Sequence, residues 1–347
     1  MLYSFSGGTD GAEPYAGVVM DAAGNLYGST DFGGNLNCNE WEGFGCGTVF
    51  KLNKADDETV LYSFGGAPDG AKPYAGVVMG AAGNLYSTTF NGGNVTCANT
   101  SGCGTVFMLD ITGKEKVLYN FSGAPDGANP EAGVVMDAAG NLYGTTFFGG
   151  ASGDGTVFKL DTAGKETVLY SFSGTPDGAN PVGGLVMDVA GNLYGTTEGG
   201  GASNNGTVFM LGTADKETVL YSFSGTPDGA NPVGGLVMDV AGNLYSTTFN
   251  GGNVTCTNAS GCGTVFKLDT TGNETLLYMF SGGADGAYPT GGLVMDAAGN
   301  LYGTTFEGGD LSCMFANMGL GCGTVFKLTL PSSISGADTT RASTPRR

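Results

Sequence analysis

"LYSFSGTPDGANPVGGLVMDVAGNLY" occupies residues 169–194 and recurs unchanged at 220–245. Looser copies lie on either side. Aligned on the leading aromatic segment, the chain shows six copies, at Leu2–Phe5, Leu61–Phe64, Leu118–Phe121, Leu169–Phe172, Leu220–Phe223 and Leu277–Phe280, spaced by 59, 57, 51, 51 and 57 residues. Each copy continues into G-V-V-M or G-L-V-M, then G-N-L-Y, then G-T-V-F followed by Lys or Met and Leu. A repeat of this length is the mark of propeller blades or solenoid coils.

Within a copy, short apolar or alternating runs are cut by turn residues, which is the signature of strands and not of helices. In the third copy two strands, Gly133–Asp137 and Asn141–Thr146, flank Ala138-Ala139-Gly140, where glycine supplies the positive φ of a hairpin turn. A third strand, Gly155–Asp161, turns through 162–165 into a fourth, Glu166–Phe172. Four antiparallel strands make one blade. The chain starts in a fourth-type strand, Leu2–Phe5, and its last repeat stops after a third-type strand, Gly323–Leu328. Pairing the two would close a ring and remove two exposed sheet edges. The expected fold is all-β: a six-bladed β-propeller over residues 1–330, closed by the N-terminal strand completing the last blade, with a Ser/Thr-rich tail at 331–347.

Composition agrees with a folded, turn-rich chain. The 347 residues include 66 Gly and 12 Pro, yet 20 Phe, 15 Tyr and 41% apolar residues suffice for a core. A net charge of −19 with only 13 Lys and Arg leaves no basic surface for phosphates, so nucleic acid and anionic membranes are excluded as partners. No segment approaches the roughly 18 apolar residues of a membrane span, and no charged-then-apolar leader precedes Leu2. A soluble chain is expected, with any export signal lost or removed.

The blade grammar, with DAAGNLYGTT at 137–146, GTVFKLD at 155–161 and ETVLYSF at 166–172, resembles the GloVer tandem-repeat family of bacterial surface and secreted proteins. The resemblance runs from residue 2 to about 328. It implies export and a propeller-like repeat, and it supplies no catalytic residue. The tail PSSISGADTTRASTPRR shows neither an apolar anchor helix nor a sorting domain and reads as a flexible linker.

Eight cysteines fall in pairs within one loop of four copies: Cys38 with Cys46, Cys97 with Cys103, Cys256 with Cys262 and Cys313 with Cys322. Copies three and four have shorter loops and no cysteine. Partners gained and lost together are expected of local disulfides, whereas a zinc site would call for histidine or C-x2-C spacing. Such bonds place the protein outside the cytoplasm, extracellular or at the cell surface. Sequons at Asn94-Val95-Thr96 and Asn253-Val254-Thr255 would matter only in a glycosylating host.

Two sets of aspartates recur. The link from a fourth strand into the next blade carries D-G-A-x-P, with Asp10, Asp69, Asp126, Asp177, Asp228 and Asp285. Turn chemistry explains them, since Asp-Gly turns bond their own backbone; a ring of carboxylates collecting Ca²⁺, the one cofactor this pattern suggests, is the sharper alternative. The second set, Asp21, Asp137, Asp188, Asp239 and Asp296, sits at the hairpin, where copy two has Gly80. The chain has no histidine, so His-dependent triads and His-ligated metal centres are ruled out. Every candidate carboxylate recurs in several blades at the same position, and no singular constellation stands out. An extracellular, disulfide-stapled binding or structural module, with self-assembly as one option, is therefore the expected function, and a calcium- or carboxylate-dependent carbohydrate-active or lactone-cleaving enzyme is the alternative.

The loops that differ are those of copies one and six, CNEWEGFGC and CMFANMGLGC, which become neighbours in a closed ring. Trp41, Phe44, Met314, Phe315, Met318 and Leu320 gather there. Aromatic and Met side chains on short bridged loops have the make-up of an interface hot spot. The expected partner is a second copy of the chain or an extracellular protein or polysaccharide.

Overall fold

The computed structural model describes residues 1–38, 43–95, 97, 101–254, 256, 260–313 and 321–330. Among them are strands and turns and no helix. The strands form six blades around an axis, a β-propeller, and the order within each sheet is the order in the chain. In blade three, an inner strand Val135–Met136 pairs with Leu142–Thr146, that with Thr156–Leu160, and that with the outer strand Glu166–Ser171, all antiparallel. Blades one, two, four and five repeat this with the same strand lengths.

The inner strands pair over only two residues, shorter than the sequence pattern implied. Neighbouring inner strands crowd one another around the axis, backbone against backbone. A Cβ on Gly76 would lie 2.9 Å from the Gly17 carbonyl oxygen, and one on Gly133 would lie 2.9 Å from that of Gly76. Only glycine lets neighbouring inner strands approach this closely.

A second feature escapes a simple alternating pattern. In all five complete blades the register between third and outer strands slips by one residue. In blade three, Val157 faces Tyr170 while Phe158 faces Val168, so Leu169 is the extra residue of a bulge. The bulge raises local twist. It also lets the outer strand end on Phe172, which is fully buried.

That phenylalanine is the repeating unit of the core. Each outer-strand Phe meets the third-strand Phe of the next blade edge to face: Phe64 on Phe107, Phe121 on Phe158, Phe172 on Phe209, Phe223 on Phe266 and Phe280 on Phe326, with ring centroids 5.0–5.2 Å apart. The core is thus a series of separate clusters between adjacent blades, each joining one outer strand to the inner three strands of its neighbour.

The four expected disulfides are present, with Cα atoms 5.7–6.1 Å apart. They do more than pin loops. Cys46 and Cys262 are fully buried and pack in the inter-blade clusters, beside Phe64 and Phe280 respectively.

The expected closure is not formed. The sixth sheet has three strands, Val294–Met295, Leu301–Thr305 and Thr324–Leu328, and residues 1–6 form no strand with it. The consequence is visible in exposure: Val325 is 82% exposed, whereas its equivalents Val49, Val106, Val157, Val208 and Val265 are at 0%. Residues 2–5 nevertheless sit against blade one as an outer strand would. Phe5 lies 5.0 Å from Phe50, and the Tyr3 hydroxyl donates to Asp10, the contact each outer-strand tyrosine makes with its link aspartate. The tail at 331–347 lies outside the described residues.

Candidate functional site

Both recurring aspartate sets are absorbed by the frame. Each link aspartate accepts from the tyrosine seven residues earlier, as Asp177 does from the Tyr170 hydroxyl at 2.6 Å and Asp228 from Tyr221 at 2.8 Å, and from a backbone N–H four residues earlier. The Ser6 hydroxyl, with its backbone N–H, holds the Asp10 carboxyl below its usual range. Asp69, Asp126 and Asp285 make the same tyrosine contact in their own blades. Six carboxylates occupied separately in six links do not converge on a cation. Among the described residues no group of three or more Asp, Glu, Cys or His is placed to hold a metal. The hairpin aspartates likewise bond Asn and Tyr of the same turn: the Asn25 side chain and backbone, with the Tyr27 hydroxyl, hold Asp21 at about 2, and Asn300 holds Asp296 at about 2.

The axis itself is hollow. A cavity of about 930 Å³ opens there, and residues of all six blades line it. Two positions of the repeat supply most of its side chains. The residue after the link proline gives Tyr15, Tyr74, Glu131, Val182, Val233 and Thr290, and the residue closing the second strand gives Phe90, Phe147, Glu198 and Phe249. The strands that carry these residues are nearly identical, so the frame presents these two positions around the axis, most of them Tyr, Val or Phe, with Glu131, Glu198 and Thr290 as the exceptions. Tyr74 packs edge-on against Tyr15 and Phe90, with centroids 6.0 and 5.1 Å away, which gives one side of the cavity a continuous aromatic wall.

Glu131 and Glu198 come from adjacent blades and face this cavity. Burial pushes Glu131 up to about 7, with the charge of Glu198 adding to it, and burial raises Glu198 as well. A carboxylate near neutrality in an aromatic pocket is what proton exchange or ligand pairing requires.

In blade one the second-strand position holds Asp31, 2% exposed, whose Oδ1 accepts no hydrogen bond. Burial pushes it up to about 7 against the opposing charge of Lys72. Lys72 stands where other blades have Asn129, Asn180 and Asn231, whose amides bond a carbonyl of the preceding blade. Its ammonium lies 4.6 Å from the Phe32 ring centroid and 5.7 Å from that of Tyr74. Asp31 and Lys72 thus replace an Asn clamp with a charge pair just behind the aromatic wall.

The patch expected on the cysteine loops is reached at one residue. Phe44 is 63% exposed, 5.9 Å from the Phe32 ring. Trp41, Met314, Phe315, Met318 and Leu320 lie outside the described residues. The reading that no carboxylate is singular is corrected by the cavity. Asp31, Glu131 and Glu198 each occupy a repeat position where most blades carry an aromatic or small apolar residue, and aligning the six copies column by column exposes them.

A family model described as the Gloeobacter/Verrucomicrobia repeat matches residues 1–135 and 95–316. No protein of curated function matches the chain. Among solved structures, a gluconolactonase from Xanthomonas campestris is 15% identical, with 84% of this chain and 83% of that one covered, at a TM-score of 0.49. A luciferin-regenerating enzyme is 15% identical over 93% of this chain and 94% of that one, at 0.48. The extracellular domain of a one component system from B. thetaiotaomicron is 10% identical over 84% of this chain and 37% of that one, at 0.51, a likeness of fold alone.

Proposed function

Because the chain belongs to the Gloeobacter/Verrucomicrobia repeat family, a conclusion the match to most of its length supports, we propose that it is an extracellular binding propeller whose axial cavity holds a small ligand. One observation carries this reading. The frame repeats almost without change, while Glu131 and Glu198 stand in the cavity lining at positions where most blades carry Tyr, Val or Phe. A structural module needs no such asymmetry, and a binding site does. Four disulfides fit an oxidising compartment.

The test is a thermal-shift and calorimetric screen with saccharides, amines and lactones, on the wild type and on Val182→Trp, which places a bulky ring into the cavity. A ligand that raises the melting temperature of the wild type and not of the variant supports the reading; equal shifts in both place the site elsewhere. A second reading, acid–base hydrolysis of a carbohydrate or lactone, is favoured by the position of Glu131 and Glu198, both raised toward neutrality in one pocket. Turnover lost in Glu131→Gln and Glu198→Gln would establish it, and a screen without turnover would dismiss it.

A further inference from the structure

The chemistry of the axial cavity narrows the class of ligand, on the premise that the cavity is the binding site. Its lining contains two carboxyl groups, Glu131 and Glu198, and no Lys or Arg. Lys72, which carries positive charge close by, is set over the Phe32 ring and beside Asp31. Burial raises both glutamates, and the charge of Glu198 adds to the shift at Glu131, without a cation in the lining to offset it. An anionic ligand would add to that repulsion, and a neutral one would leave it in place.

The rest of the wall decides between a metal ion and an organic cation. A hard metal ion takes six or more oxygen ligands, and the described residues hold no such group. The wall instead offers the rings of Tyr15, Tyr74, Phe90 and Phe147, whose faces attract a cation that carries its own apolar skin. The cavity, at about 930 Å³, is of the size that encloses a whole small molecule. We propose that the axial cavity binds an organic cation, an ammonium or quaternary ammonium compound, with Glu131 and Glu198 as its counter-charges and the aromatic wall against its alkyl surface.

The experiment is titration calorimetry at one pH and moderate salt with choline, with spermidine, and with 3,3-dimethylbutan-1-ol, the uncharged isostere of choline. Choline is expected to bind at least about 10-fold more tightly than the isostere, and Glu131→Gln with Glu198→Gln should erase that preference while the melting temperature stays within a few degrees. Equal binding of choline and isostere, no binding of either cation, or a preference that survives both substitutions overturns the inference. If saccharides bind in the earlier screen and these cations do not, the cavity remains a site and only its cation class falls. If intruding on the cavity with Val182→Trp changes nothing for any ligand, the site itself falls.

Discussion

Removing one proton-binding group at a blade boundary should stabilise this protein, and only at higher pH. Each complete blade begins its outer strand with a glutamate: Glu58, Glu115, Glu166, Glu217 and Glu274. In every one the Oε1 atom is buried and has no hydrogen-bond partner. Each also lies beside the link aspartate at the preceding boundary, as Glu166 does beside Asp126. Burial first and that negative neighbour second push Glu115, Glu166, Glu217 and Glu274 from 4.5 up to about 7. The folded state therefore prefers the protonated acid. Stability from these groups is full below about 4.5, the unfolded value, and drains away as pH rises to about 7. Full burial would make the gap worth about 3 kcal/mol per group; the side chains are only half-buried, and solvent screening reduces this to about 1 kcal/mol each. Urea unfolding of wild type and Glu166→Gln at pH 5 and pH 8 measures it. The wild type should lose several kcal/mol between the two, at about 1 kcal/mol per boundary, and Glu166→Gln should regain about 1 kcal/mol at pH 8 and nothing at pH 5. A variant no more stable than wild type at pH 8 would refute the account, because it would mean the buried oxygen is solvated or paired in solution.

The remaining expectations are briefer. In complete blades the first residue of the third strand faces the last of the outer strand, as Thr48 faces Ser63, so an N-terminal strand that closes blade six would bring Ser4 opposite Thr324. With that closure absent, oxidising the Ser4→Cys, Thr324→Cys variant should give no monomeric cross-link by mass spectrometry; a monomeric cross-link would show that the ring closes in this register. Phe172→Ala, which empties a fully buried site between blades three and four, should cost about 3–5 kcal/mol in chemical denaturation; a cost below 1 would mean the boundary repacks. Unfolded without reductant, the protein should show no reactive thiol, and eight after reduction. Because each bridge spans fewer than ten residues, its loss should lower stability by no more than about 2–3 kcal/mol through chain entropy, plus what its buried sulfurs contribute to packing.

Strand number, strand order and blade count were legible because each was written several times over. Six copies of L-Y-x-F and G-T-V-F leave few alternatives, and local disulfides followed from cysteines gained and lost in pairs. The bulge at Leu169 was not legible, since it breaks the alternation by which strands are recognised and its reason, the burial of Phe172, lies in the neighbouring blade. The axial site was missed for the converse reason. A search for what repeats finds Asp177 and Asp188, which turn out to hold turns together, and passes over Glu131 and Glu198, which appear only where the repeat fails. In a chain built from copies, the frame is written in the shared columns, and the candidate site lies in the discordant ones. The fate of the ends was also beyond the sequence: matching half-blades state that two edges are complementary, but whether they meet depends on the summed angle of five boundaries.

The uncovered third strand of blade six sets where the molecule should come apart. Hydrogen exchange of a propeller whose boundaries were equivalent would be uniform around the circle. Here Thr324–Leu328 has one neighbour strand in place of two, and its Val325 side chain faces solvent. Its amides lack the outer ladder that protects Thr156–Leu160, so opening should begin there at little free-energy cost and fray inward, blade six before blade five. Protection would then fall along a gradient with its maximum in blades three and four, the two that carry no disulfide. The bridges accordingly cluster toward the ends of the chain, where it opens most readily, and the two unbridged blades lie at its middle.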